Sequence, residues 1–555
     1  MIKLNKIKRN CVAAVILTMC LMTAGCARNS TSTTTASGGE TTITSDITKE
    51  DTDVTHADDA ENYRVSITGD FTVTSDTSDG VTQSGSVYTI TKAGEYTVAG
   101  LLSEGQLIVD AGDENEVTIV LNGTSITCSS GSPIYVKNAS EVKIKSEENS
   151  FNEVIDNRAE ATEDSSDDAG NAAIYATCDL KLVGKGALVV TANYNNGIQS
   201  KDDLSIKNVI VKVTAVNNAF KGNDAVDIES GNIIAISAKG DGIKTSNSSI
   251  SNKGNQKGIV TITGGNIDVY AACDGIDAAY GVDISGDGNL NIYTDTYSEY
   301  SEEVTSSGSS SGTSAGHGSS GNKTASANTV SYVTASDTIA NAPGGFGGGK
   351  IYVYATDDGI NACTGDGKTS PIVNVTAGYI DITTASGDTD GIDSNGNYVQ
   401  TGGFVLVKGG SSSGNVSGSI DVDGTVTITG GTCVALGGVC KTPINSANAY
   451  VLSSVSFSSG SYSLKNSSGK EVISFTVDGT FGNGWICSDT LVTGTSYTLY
   501  RGSDSIADWT QESGTMGASG TGSFGGGKMG GFGGQNGGNT PDMNGQNGGF
   551  GGGRR

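Results

Sequence analysis

Positive charge and histidine are scarce in this chain. Its 555 residues hold 33 Lys and Arg against 60 Asp and Glu, a formal net charge of −27. That balance leaves no basic patch to displace counterions, which excludes nucleic acid as a partner. No arginine stands between Arg158 and Arg501, and His56 and His317 are the two histidines. Both histidines fall in polar, low-complexity stretches, so histidine catalysis is excluded, and an arginine base has no candidate through most of the body. The ten cysteines include no Cys-x-x-Cys pair, so no zinc site is indicated. Cys433 and Cys440 are the close pair among those outside the first 26 residues. Five prolines leave strands uninterrupted, and no apolar run is long enough to span a bilayer.

What is present begins at the N-terminus. Lys3, Lys6, Lys8 and Arg9 precede "CVAAVILTMCLM", and small residues lead to Cys26. This is the layout of an export signal. The four residues "TAGC" resemble the lipobox of bacterial lipoproteins, which implies cleavage before Cys26 and lipid attachment to its sulfur. Residues 1–25 are then the signal peptide, and the mature chain sits on the extracellular face of the membrane, held by lipid alone. Losing 1–25 removes four positive charges and no negative one, taking the net charge from −27 to −31.

Residues 26–60 read as a Ser/Thr-rich linker, and 512–555 as a Gly-rich disordered tail. A third low-complexity stretch, 298–348, reads as a loop inserted into a repeating body. That body, 61–511, is built from short alternating strands, each followed by a turn: "VTITGGNIDVYA" at 260–271, "VNVTAGYIDITT" at 373–384, "YVQTGGFVLVKG" at 398–409 and "VTITGGTCVALG" at 426–437. The apolar residues that follow successive turns, Ile198, Phe220 and Ile243, are 22 and 23 positions apart. The intervals Ile243 to Ile276 and Ile360 to Ile392 are 33 and 32, as if turns had lengthened. A period of 22–25 residues with three strands per repeat predicts an all-β fold, a right-handed parallel β-helix or solenoid. Ile267, Val269, Ile351 and Val353 are its expected inward positions. A β-sandwich array is the competing architecture.

The motifs "GLLSEGQLIVDA", "VLNGTSIT", "GSPIYVKNA" and "SKDDLSI" together resemble a family of secreted bacterial carbohydrate-binding domain proteins, mainly lipoproteins of Gram-positive bacteria. The resemblance covers about 60–510. It implies a right-handed parallel β-helix related to pectate lyases, calcium in the turns, and binding of cell-wall polysaccharide. The chain departs from that pattern at Asn196-Gly197 and Asn218-Ala219, where the expected Asp-Gly is missing.

The core Asp-Gly-Ile recurs in "GDGIKT" at 240–245, "CDGIDA" at 273–278, "DDGINA" at 357–362 and "TDGIDS" at 389–394. Taken singly, each is a tight turn in which Asp bonds local backbone and Gly supplies a positive φ. Taken as an array on successive coils, the carboxylates would stand one strand spacing apart and repel unless a cation lay among them. Calcium accepts six to eight oxygens. Asp241, Asp274, Asp277, Asp358, Asn361, Asp390 and Asp393 are the expected donors.

Three readings of function remain open at this stage. The first is a non-catalytic binder of cellulose- or polygalacturonate-class polysaccharide. Tyr270, Tyr293 and Tyr354 hold one strand position and are expected to face outward as a sugar platform; ordinary strand propensity is the plain alternative. The second is a calcium-dependent lyase with Lys244 as base, a residue that is otherwise a solvated turn lysine. Asp202-Asp203 and Asp357-Asp358 resemble the paired aspartates of polygalacturonases, but the "GHG" and "RIK" elements of that family are absent. The third is a structural adhesin that recognises protein.

Overall fold

The computed structural model describes residues 60, 63–161, 170–286, 350–355, 357–364, 370–384, 389–409, 419–438, 444–446, 448–452 and 455–512. These lie within one compact unit of the chain, 54–555. Cys26, Tyr293, the insertion 298–348 and nearly all of the tail lie outside the described residues, as do the signal and almost the whole linker.

The repeating sequence folds as a solenoid of parallel coils, three strands to a coil. One coil is Asn196–Ser200, Asp203–Lys207 and Val209–Ala215; the next is Phe220–Gly222, Ala225–Ile228 and Gly231–Ser237. Each strand pairs in parallel with its counterpart one coil on. The first strands of the coils make one sheet, and the second and third strands run through a 22-stranded one. The coil that begins at Ile276–Ala278 continues through Gly281–Ile284, leaves the described residues, and resumes at Lys350–Ala355 on the same ladder, with Ile267 opposite Ile351. The long insertion therefore separates the second strand of a coil from its third.

The residues counted from periodicity form one column. Ile198, Phe220, Ile243, Ile276, Ile360, Ile392 and Ile420 stand in direct register on the first face and are fully buried. Branched side chains stacked every coil fill the lumen, and each contributes about 1.5–3 kcal/mol by leaving water. Ile267 and Val269 point inward as expected, at 0% and 1% exposure. The second-to-third-face corner explains the last glycine of the recurring "TGG" and of "TAG" at 376–378: Gly265, Gly378, Gly403 and Gly431 all have positive φ, and a Cβ on Gly431 would meet the Gly403 carbonyl oxygen at 2.3 Å.

The solenoid does not run the whole length of 61–511. At its start Thr72–Thr74 pairs antiparallel with Gly94–Leu102. After Val426–Leu436 the strand Gly484–Ser488 closes antiparallel on the last coil, and the strands on either side of it, Ser456–Asn466, Glu471–Gly482, Ser496–Arg501 and Asp504–Thr510, form a separate four-stranded antiparallel sheet. That sheet covers the outer side of the third face: Tyr379, Phe404, Leu406, Val434 and Leu436 pack with Phe457, Tyr462 and Trp509. The strand signal of this segment is the same alternation as in the coils, so periodicity did not separate the two.

Candidate metal and carbohydrate site

The turn from the third face to the first carries the aspartates, and their side chains form a ladder along the solenoid. Asn196 Oδ1 accepts the Asn218 backbone N–H at 3.2 Å, and Asn218 Oδ1 accepts that of Asp241 at 3.0 Å. Asp241 Oδ1 accepts from Asp274 at 3.1 Å, Asp274 Oδ1 from Asp358 at 3.0 Å, and Asp358 Oδ1 from Asp390 at 2.8 Å. Each carboxylate thus binds the backbone of the next coil, where the sequence reading expected a bond within its own turn. A charged acceptor on a backbone N–H contributes about 1.5–3 kcal/mol, and an amide serves the same geometry with less. This is why Asn196 and Asn218 occupy the same ladder without carboxylates.

The glycines of the Asp-Gly pairs are also needed for a reason other than the one expected. Gly242, Gly359 and Gly391 do not take positive φ; a Cβ there would strike Val269 Cγ1 at 2.0 Å, Ile382 Cγ2 at 2.3 Å and Val407 Cγ1 at 2.1 Å. The turn passes so close to the third-face core that only a bare Cα fits.

Asp277, Asn361 and Asp393 belong to a second column. They lie in register on the first face with Gln199, Lys221 and Lys244, one residue after the inward isoleucines and so facing outward. The seven expected ligands therefore divide between two adjacent columns, the turn ladder and this strand column.

Between the columns two groupings form. In the first, Asp241, Asp274 and Asp277 have carboxylate oxygens within 4.8 Å of one another. Lys244 Nζ reaches Asp241 Oδ2 at 2.7 Å and also bonds Asp277 Oδ2. Burial alone would lower the lysine pKa, but the two carboxylates outweigh it and raise it. Lys244 is neither a solvated turn lysine nor a ready base; it is the protein's own cation, held protonated. For Asp277, burial raises the carboxyl pKa and Lys244 offsets part of that.

In the second grouping, Asp274, Asp357 and Asp358 again bring oxygens within 4.8 Å. Asp274 is 8% exposed, Asp358 half-buried and Asp357 exposed, so the cluster opens to solvent on one side. Burial, with Asp241, Asp358 and Asp277 nearby, pushes the Asp274 carboxyl up to about 8, against a hydrogen bond from Asn361 Nδ2 at 3.0 Å. Among the described residues nothing donates to Asn361 Oδ1, which is buried. Three carboxylates brought this close are the donor chemistry of a hard divalent cation, so this grouping fits calcium. The first does not, because an ammonium stands among its oxygens. Asp357, in sequence one half of the Asp357-Asp358 pair that resembles a catalytic one, joins this grouping through its place directly before the Asp-Gly core.

Tyr270 faces away from the lumen, as alternation requires, but is 6% exposed and packs against Ile234 and Ile236. Its burial withdraws it from an open sugar platform. Tyr354 stands opposite Tyr270 in register, and Tyr293 is outside the described residues. Asp202 and Asp203 sit at the corner of the first and second faces, where burial and then Asp179 push Asp203 up to about 6.

Fold and site define a class: a β-helix-like solenoid of parallel coils with a carboxylate ladder along one edge. Residues 84–359 match the family described as carbohydrate-binding domain-containing protein, and over that stretch the chain is similar to such proteins. One of that description from Acetivibrio thermocellus is 41% identical over 142 residues, 25% of this chain and 50% of the relative. The chain spans about half the length of that curated relative. A solved structure described as the polysaccharide lyase-like protein from C. thermocellum, a gadolinium derivative, is 40% identical; the match covers 39% of this chain and 86% of that one, with a TM-score of 0.36.

Proposed function

We propose that this protein binds an acidic cell-wall polysaccharide without cutting it, at the extracellular face of a membrane to which Cys26 anchors it by lipid. The observation that carries this reading is the grouping of Asp274, Asp357 and Asp358, open to solvent at Asp357. A divalent ion there, calcium by its oxygen donors, supplies positive charge on a surface that otherwise repels a uronate. The same ion would neutralise the ladder carboxylates. Asp390 and Asp393, one coil further along the same two columns, extend the acidic edge.

The binding reading is favoured over lysine-based cleavage by the state of Lys244. A proton abstracted next to a carboxylate needs a neutral base near the working pH. Two carboxylates hold Lys244 as an ammonium, and neutralising it would take from both of them the cation to which they are bonded. The similarity of 84–359 to carbohydrate-binding domains supports the sugar as ligand over a protein partner.

The test uses the mature chain with insoluble glucan and with polygalacturonate, each with and without chelator. Pull-down is followed together with the ultraviolet absorbance of unsaturated ends. Retention on polygalacturonate that the chelator abolishes, with no new absorbance, is the expected result. New absorbance makes the protein a lyase, and retention on neither polymer ends the polysaccharide reading.

A further inference from the structure

Two cysteines far apart in sequence meet at the closed end of the solenoid. Cys433 lies on Val426–Leu436, the last full coil, and Cys487 on Gly484–Ser488, the antiparallel strand that closes it. They are directly opposite in register, flanked by Thr432 opposite Ser488 and Val434 opposite Ile486. Both are thiols, both are at most 1% exposed, and both belong to the lumen core with Tyr398 and Trp485. Opposed residues of an antiparallel pair put their side chains on one side, with Cα atoms about 4.5–5.5 Å apart. A disulfide needs Cα atoms about 4.4–6.8 Å apart. The buried Tyr398 hydroxyl, bonded to Gln400 Oε1 at 2.9 Å, feels both sulfurs.

We infer that Cys433 and Cys487 form a cross-strand disulfide that staples the last coil to the strand leading into the C-terminal sheet. Cys433 and Cys440 are the close pair in sequence; register sets Cys487 opposite Cys433. The reaction needs a two-electron oxidant of the disulfide class, and the export expected for this chain takes it where such oxidants act. The Cys487 thiolate attacks the oxidant's disulfide and releases one thiol. Cys433, losing its proton, then attacks the Cys487 sulfur of the mixed disulfide and releases the second. Two protons and two electrons leave the protein, and one S–S bond forms.

Access favours Cys487 as the first attacker. It lines a pocket of about 320 Å³ with Asn445, Ser446, Asn448 and Asp489, whereas Cys433 is at 0% exposure. Burial pushes the Cys487 thiol up to about 11, so the folded protein oxidises slowly at neutral pH. The bond is therefore made fastest while the closing strand is still docking.

The test refolds the full chain from denaturant with oxidised glutathione, alkylates the remaining thiols and maps the peptides by mass spectrometry. The expected result is the loss of two alkylatable thiols, a linked Cys433–Cys487 peptide pair, and a Tm that falls when reductant is added. In Cys487→Ser the linked pair and the reductant sensitivity disappear together. Alkylation of both residues in the oxidised wild type, or a Cys433–Cys440 link in its place, overturns the inference. The wild-type map decides the matter even if the serine variant folds poorly.

Discussion

At Asp241 and Asp277 the chain sets a lysine ammonium among the carboxylates; one coil on, at Asp274, Asp357 and Asp358, it brings three carboxylates together in a grouping open to solvent at Asp357. Both steps belong to the same ladder and share Asp274, so backbone geometry is nearly constant between them. What differs is the source of positive charge. Stacked coils bring side chains together at about 4.8 Å, so a repeating Asp repels itself coil after coil. A repeat can relieve this with an amide, as Asn196 and Asn218 do, with a lysine, or with a metal ion. Only the last leaves the charge available to a ligand from outside.

The comparison breaks most sharply at Lys244. Lys244→Met takes from the buried Asp241 and half-buried Asp277 the ammonium bonded to both, and unfolding free energy should fall by about 3 kcal/mol, the low end for breaking a buried pair. Because the three oxygens of that grouping lie within 4.8 Å, millimolar calcium should recover part of the loss. Urea denaturation with and without calcium reads both effects. A variant as stable as the parent, or one indifferent to calcium, would show that the lysine is not filling a cation's place.

Asp274 separates the ladder's two duties. Asp274→Ala removes the acceptor for the Asp358 N–H and should cost about 1–3 kcal/mol, the cost of an unsatisfied buried donor. Asp274→Asn keeps an acceptor oxygen there and should cost less than about 1 kcal/mol. Both should lose the calcium-dependent rise in Tm that the parent is expected to show. If the asparagine variant still responds to calcium with parental affinity, the ion does not sit at this step.

Much of the solenoid was legible because one residue per coil repeats: Ile198, Phe220, Ile243, Ile276, Ile360 and Ile392 were counted from spacing and stack in register. Long turns and a long insertion did not hide them, since a loop between faces changes the interval without moving the strand. The antiparallel sheet formed by the strands that flank Gly484–Ser488 was not legible, because alternation encodes a half-buried strand and says nothing about which neighbour it pairs with. For the site, the aspartates were visible but their bonding was not. A local turn and a ladder between coils use the same Asp-Gly, and the difference lies in contacts such as Gly242 against Val269. Lys244 was read as a base or as solvated for the same reason: its partner Asp277 comes from the next coil.

A third acidic grouping, at the other edge of the first face, sharpens the contrast by having little relief at all. Asp203 stands among Asp179, Asp227, Asp224 and Asp202, and the nearby Lys257 is bonded to Asp224. Burial first, then Asp179, pushes the Asp203 carboxyl from 3.8 to about 6. A raised folded-state value means that the folded chain holds this proton more tightly than the unfolded chain. The stabilisation is complete below about pH 4 and is lost as pH rises through about 6, so the group lowers stability with rising pH across that window. Asp203→Asn should flatten the slope between those limits while leaving stability near pH 4 almost unchanged, as followed by urea midpoints at a series of pH values. Calcium should not alter the slope, since this cluster lacks the grouping seen at Asp274; a calcium-sensitive slope would place an ion at this edge as well.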